Sequence, residues 1–316
     1  MTVRPLDAEA SLPAGRTAAP SRWSLFWRRN GAGYAFLTPW FIGFFGLTIG
    51  PALVSLYLSF TDFNLLQAPH IVGTANYVRI FTADPKFLQA LRVTFFFAVV
   101  SVPLKLAFAL AVALLLNRGL KGLPLYRAIF YLPSLLGASV AIAVLWRELF
   151  SGDGVVNKLL AMVGITGPSW ISNPRYALWT IIILAIWQFG SPMIIFLAGL
   201  RQIPRDVYEA ASIDGASRSK QFWSITLPLL TPVVFFNAII QGIDAFKSFT
   251  PAFIISGGTG NPINSTLFYT LYLYQEAFGF FRMGNASALA WILLVIIAVF
   301  TGISFLTSRY WVYYDE

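Results

Sequence analysis

Cysteine is absent from the chain, and histidine occurs once, at His70. The first absence excludes a disulfide framework, a thiol nucleophile and any thiolate metal site. The second excludes a multi-histidine metal centre or histidine relay. Charge is also scarce: Asp, Glu, Lys and Arg make up 11% of the 316 residues, against about 25% in a typical soluble domain. No G-x-x-x-x-G-K-[ST] run occurs, so the chain has no phosphate-binding loop of its own. The glycine-rich stretch Gly257-Gly258-Thr259-Gly260 lacks the lysine, does not follow a strand, and reads as a turn. Hydrolysis by paired carboxylates has no support either, since Glu148 and Asp153 stand at the end of an apolar run without a partner pattern. No nucleic-acid motif is present.

What fills the sequence is apolar. The set Ala, Val, Ile, Leu, Met, Phe, Trp, Tyr and Cys accounts for 57% of the chain, with a mean hydropathy of +0.70. Six runs stand out, over 34–60, 91–116, 128–149, 176–200, 229–255 and 286–307. Several exceed the ~18 residues that mark a membrane span. This pattern predicts an all-α membrane protein with six transmembrane helices and no soluble domain. Residues 1–33 read as a retained tail, disordered over 1–21 and then mixing aromatics with arginines in a way that suits the headgroup layer. Residues 34–307 form the six-span domain and 308–316 a second short tail. The segments 61–89 and 256–285 read as outside loops.

The formal charge of +9 is distributed unevenly. Arg4, Arg16, Arg22, Arg28, Arg29, Arg118, Lys121, Arg127, Arg201, Arg205, Arg218, Lys220 and Arg309 fall on one side of the predicted spans. Fewer cations (Arg79, Lys86, Arg92, Arg147, Lys158, Arg175 and Arg282) fall on the other. The richer side is cytoplasmic, which puts both termini and the segment 201–228 inside.

That segment carries the most informative stretch, EAASIDGASRSKQFWSITLPLLTP over 209–232. Pro204 suits the first turn of a helix, and Gly215 suits the left-handed residue that ends one. The spacing predicts a helix over 205–213, a turn at Asp214-Gly215 and a second helix from Ser217. Ala210 and Ala211 offer little side-chain bulk, so another protein can approach this backbone closely. It reads as a docking knuckle.

The same residues carry a resemblance. Glu209, Ala210, Ala211, Asp214, Gly215, Ala216, Phe222, Ile225, Leu227, Pro228 and Pro232 match the coupling motif of permease subunits of binding-protein-dependent ABC importers. RAIFYLPSLL, SWISNPRYAL and GGTGNPINSTLFYTLYLYQEAF are similar to the maltose-type sugar permease branch. The resemblance implies the type I importer permease fold in a bacterial cytoplasmic (inner) membrane, and ATPase coupling through Glu209, Ala210, Ala211, Asp214, Gly215 and Ala216. It implies four kinds of partner: a second homologous permease, an ATPase dimer that binds ATP and Mg, an extracytoplasmic solute-binding protein and a carbohydrate, leaning toward an oligosaccharide. The chain itself is then no enzyme and holds no cofactor or metal.

Ionisable groups at membrane depth are costly and are functional candidates by default. Asp244 and Lys247 are i,i+3 neighbours, and Gln241, Asp244 and Ser248 give their helix one polar stripe flanked by Phe246 and Phe249. Hydroxyls need hydrogen bonds and sugar C–H faces stack on rings, so Gln241, Asp244, Phe246 and Lys247 are candidates for the substrate path. The same pair would equally serve to hold one helix against another. Lys247 is placed to meet the carboxylate of an acidic sugar unless Asp244 holds it. Lys105 reads first as snorkelling or paired with an unseen partner, and second as lining the path. In the run Trp187-Gln188-Phe189-Gly190-Ser191-Pro192, proline and glycine weaken the helix. The resemblance makes Trp187 and Gln188 candidates there. Two other classes remain as alternatives, an ion-coupled secondary transporter and a membrane-embedded enzyme. The first would need repeats in the two halves, which are not seen.

Overall fold

Apolar runs of this length can satisfy their backbone in a membrane only as helices or as a closed barrel, and the chain takes the helical solution. The computed structural model describes residues 22–118, 122–137 and 139–313, with residues 22–29 and 32 described by backbone alone. The expected disordered tail over 1–21, Lys121 and residues 314–316 lie outside the described residues, as do the side chains of the headgroup-layer arginines. Among the described residues there is no strand, only an isolated bridge between Thr61 and Ile71.

The chain divides into two compact units, one through Ser55 and one from Leu56 onward. The first holds α1 (Arg22–Gly43), a π-helical stretch (Phe44–Ile49) and the start of α2 (Gly50–Ser59). Phe36 and Trp40 are exposed, as suits a helix whose solvent is lipid.

The second unit continues with α3 (Ala75–Thr82) and α4 (Pro85–Leu116). Asp84 caps α4 by accepting from the N–H groups of Lys86 and Phe87 at 3.0 and 3.2 Å. The helix therefore starts six residues before the expected 91, and its 32 residues reach about 48 Å, past the ~30 Å hydrocarbon core. Next come α5 (Leu123–Leu136), α6 (Val140–Leu149), α7 (Val155–Met162), α8 (Ala177–Trp187) and α9 (Gly190–Leu200). The docking segment contributes α10 (Arg205–Ile213) and α11 (Arg218–Gln221), and the remainder is α12 (Leu227–Phe246), α13 (Thr250–Ile255), α14 (Tyr269–Tyr274) and α15 (Met283–Ser308). Among the described residues, four helical stretches are long and apolar enough to cross a membrane, and six if the bent pairs α5–α6 and α8–α9 each count as one span.

Three expectations are corrected. The run 128–149 is not one straight helix, because α5 and α6 meet at 94°. The run 229–255 is continuous with α11 at its start and breaks over Lys247–Phe249 before α13. The largest difference lies within 256–285, read as an outside loop: the segment holds α14 and the π-helical turn Gln275–Gly279. Its Leu267, Phe268, Tyr269, Leu271 and Tyr272 are among the most buried residues of the chain. The Tyr269 N–H donates to Thr94 Oγ1 of α4 and its hydroxyl to the Leu289 carbonyl of α15, both at 2.8 Å. The Tyr272 hydroxyl donates to Asp84. Buried phenols keep partners of this kind, and here the partners fasten the segment between α4 and α15.

Two apolar clusters make the core of this unit. One joins the first half of α4 to α8, α13, α14 and α15; the other joins the second half of α4 to α9 and the start of α12. Between them the packing is interrupted by polar side chains.

Candidate functional site

That interruption is a cleft walled by α4, α8 and α12. Ser101 and Lys105 line it from α4, Gln188 from the α8–α9 break, and Gln241 and Asp244 from α12, with Ser248 just beyond. Phe97, Ile181 and Ala185 complete its apolar wall. Ser101 and Lys105 are i,i+4 and so share a face of α4. The cleft offers about 90 Å³. That is room for several water molecules and less than the ~300 Å³ at which small-molecule pockets begin. By itself the cleft is thus too small to enclose a ligand of that size.

Of the substrate-path candidates, the structure brings Gln188, Gln241 and Asp244 together on the cleft. It does not bring Trp187, Phe246 or Lys247 into its lining. Trp187 lies half-buried against Trp146, with ring centroids 5.8 Å apart. Phe246 is 3% exposed and packs on Phe95 and Phe300. Lys247 follows the last turn of α12, with its ammonium 3.2 Å from Asp244 and both side chains more than half exposed. Lys105, for which the sequence favours snorkelling or an unseen partner over the path, stands on the wall. The signal for it was Ser101, one turn away in an otherwise apolar run.

The break between α8 and α9 bends the fourth span by 42°, as its glycine and proline predict. The backbone groups it frees are taken up by α5. Ser134 Oγ donates to the Gln188 carbonyl and accepts from the Ser191 N–H, each at 2.9 Å. The Gln188 side chain donates to the Gly137 carbonyl at 3.1 Å. The fit requires glycine: a Cβ on Gly190 would lie 2.3 Å from the Phe130 carbonyl oxygen, and one on Gly137 would lie 2.3 Å from the Gln188 side chain.

The docking segment folds as its local chemistry predicts. α10 ends in a Schellman motif. Asp214 is the C-cap, Gly215 takes φ +75°, the Gly215 N–H reaches the Ser212 carbonyl at 3.1 Å, and the Ala216 N–H reaches the Ala211 carbonyl at 2.9 Å. Pro204 is the N-cap of α10 and not its first residue. Glu209, Ala210, Asp214 and Gly215 are exposed, while Ala211 and Ala216 are half-buried. Gln221 Nε2 donates to Ser212 Oγ at 3.0 Å and to the Ala216 carbonyl at 3.2 Å. Tyr208 and Thr226 share a hydroxyl hydrogen bond of 2.9 Å. The knuckle is thereby fastened to α11 and to the π-helical turn Phe222–Thr226 that leads into α12. In that turn the Leu227 N–H reaches back five residues to the Phe222 carbonyl, just ahead of Pro228, which has no N–H to give. From Arg218 the helical path runs without a break to Asp244 on the cleft.

Residues 81–313 match the family of binding-protein-dependent transport system inner membrane components. The chain belongs to that family. It is therefore a multi-pass membrane permease component and not an enzyme. It is 53% identical over 288 residues to the probable ABC transporter permease protein YesP of Bacillus subtilis (strain 168), covering 91% of this chain and 93% of that protein. It is 36% identical to the lactose transport system permease protein LacF of Rhizobium radiobacter, covering 92% and 99% of the two chains. The fold is that of a chain in the crystal structure of a bacterial ABC transporter that imports the acidic polysaccharide alginate, with a TM-score of 0.78 over 92% of this permease and 99% of that chain, at 23% identity. The expected type I importer permease fold is the fold found.

Proposed function

We propose that this permease is one half of the membrane channel of an ATP-driven importer in a bacterial cytoplasmic membrane, carrying a carbohydrate, an oligosaccharide, delivered by an extracytoplasmic binding protein. The observation that carries the reading is the unbroken helical connection between an exposed, small-residue knuckle and a polar cleft at membrane depth. A continuous helix transmits displacement from one to the other, which is what coupling a soluble motor to a transport path requires. The name of LacF, a lactose permease, supports the sugar.

In this reading Glu209–Ala216 dock into an ATPase subunit on the cytoplasmic side, where both termini also lie, and ATP and Mg²⁺ bind to that partner. A second, homologous permease supplies the opposite wall of the path, which the small volume of this cleft calls for. ATP binding draws the two knuckles together and opens the path outward, and hydrolysis resets it. The division into a tail over 1–33, a six-span domain over 34–307 and a tail over 308–316 belongs to the same reading.

The test is affinity purification of the chain from its native membranes in mild detergent, with co-purifying proteins identified by mass spectrometry. A Walker-type ATPase and a second permease are expected, and a binding protein recovered with them then serves for ligand screening. Recovery of the chain alone, after crosslinking as well, would overturn the reading.

A further inference from the structure

The cleft leaves one cation over. Lys247 and Asp244 neutralise each other at 3.2 Å, and none of the ion pairs among the described residues involves Lys105. No hydrogen bond joins its ammonium to another described residue. Around the cleft there are thus two cations against one carboxylate, and the unmatched cation is the one on the wall. The Asp244 carboxylate acts on it across the cleft, but forms no ion pair with it, and its three N–H donors meet no acceptor among the described residues. An unpaired ammonium at membrane depth is costly, and such groups mark substrate and ion paths. Lys105 is half-buried between the two apolar clusters, beside Gln188 and Gln241, which is not where a lysine escapes to the headgroups.

The neighbours narrow the ligand. Ser101, Gln188, Gln241 and Ser248 offer amides and hydroxyls that both donate and accept, a match for sugar hydroxyls. A compact ammonium among them matches one negative charge. We propose that Lys105 receives the carboxylate of a uronic-acid unit as an acidic oligosaccharide passes the cleft, so that Lys105 sets the charge preference of the path. The role foreseen for Lys247 falls to Lys105, because Asp244 already holds Lys247. This inference rests on the carbohydrate reading above.

The test uses the assembled transporter, with its ATPase and binding protein, in proteoliposomes. The probes are a trimer of galacturonic acid and the same trimer fully methyl-esterified, which differ in charge and not in length. Binding of each probe to the isolated binding protein is measured in parallel, so that a preference set there is divided out. The unmodified transporter is expected to move the acid at least about tenfold faster than the ester. Lys105→Gln is expected to abolish that preference by slowing the acid alone, and Lys105→Arg to restore most of it. Equal transport of acid and ester by the unmodified protein would overturn the inference, as would equal loss of both probes in Lys105→Gln, the mark of a lysine that pairs with a carboxylate of another subunit. The first of these comparisons needs no variant to fold. Transport of the neutral trimer maltotriose with neither galacturonate probe would overturn the inference and leave the carbohydrate reading standing. Failure of every saccharide to be transported would overturn both.

Discussion

The Asp244 carboxylate and the Lys247 ammonium lie 3.2 Å apart, one helical turn from each other, where α12 ends. Both side chains are more than half exposed in this chain, and the ion pair lies within one helix and ties no second helix to it. Asp244→Ala is accordingly expected to leave the thermal midpoint of the purified complex nearly unchanged and the ATPase bound, while lowering substrate uptake. Release of the ATPase on purification would make the residue structural.

Gly215 holds φ +75° with open space around its Cα. Its substitution tests conformation and not packing. Gly215→Ala is expected to cost ~1–2 kcal/mol locally for a left-handed residue. Gly215→Pro cannot adopt this φ at all and also loses the N–H bonded to Ser212. It is expected to abolish transport-stimulated ATP hydrolysis while the chain still inserts. Uptake at the unmodified rate in Gly215→Pro would remove the knuckle from the coupling route.

Two glycines in apolar spans should behave oppositely. Gly190 packs against the backbone of α5, so Gly190→Ala forces α5 and α9 apart and is expected to lower stability by ~1–3 kcal/mol. Gly302 lies in α15, and a Cβ added to it would meet nothing within 4 Å. Gly302→Ala is expected to be neutral or stabilising by up to ~1 kcal/mol. Thermal unfolding of the two variants in the same detergent decides the contrast.

The Tyr272 phenol is pushed above its ordinary value by burial first, and then by its hydrogen bond to Asp84 and the nearby Glu276 carboxylate. The folded state therefore holds this proton more tightly than the unfolded chain. The resulting stability is fully present below the ordinary phenol value of ~10 and is lost as pH rises beyond it toward the folded value. Thermal midpoints between about pH 8 and 11 should fall more steeply in the unmodified protein than in Tyr272→Phe. That variant should also lose ~1 kcal/mol at neutral pH with the hydrogen bond. Parallel pH curves for the two proteins would count against the assignment.

Legibility in the sequence follows the range of the forces involved. The α10 helix, its Gly215 turn and the start of α11 at Ser217 are all predictable, because caps and Schellman glycines are specified within a few residues. The break at Gln188-Phe189 is predictable for the same reason, although Ser134 and Gly137, which satisfy it from α5, are not. The segment 266–277 defeats a sequence reading because its position depends on hydrogen bonds donated to Thr94, Asp84 and Leu289, outside the segment. Its apolar stretch LFYTLYLY is the available signal.

The sequence by itself determined that this is a helical membrane protein, where its apolar runs lie and which short loop forms the knuckle. Each of these follows from transfer to lipid or from local backbone chemistry. Only the tertiary structure decided that Lys105, Gln188, Gln241 and Asp244 share one cleft, while Phe246 and Trp187 pack into the bundle. In water, an apolar stripe tells a helix which face to bury. In a membrane the lipid tails are as apolar as the core, so an aromatic is equally at home on either face. Close packing and the few polar groups then fix how each helix is turned.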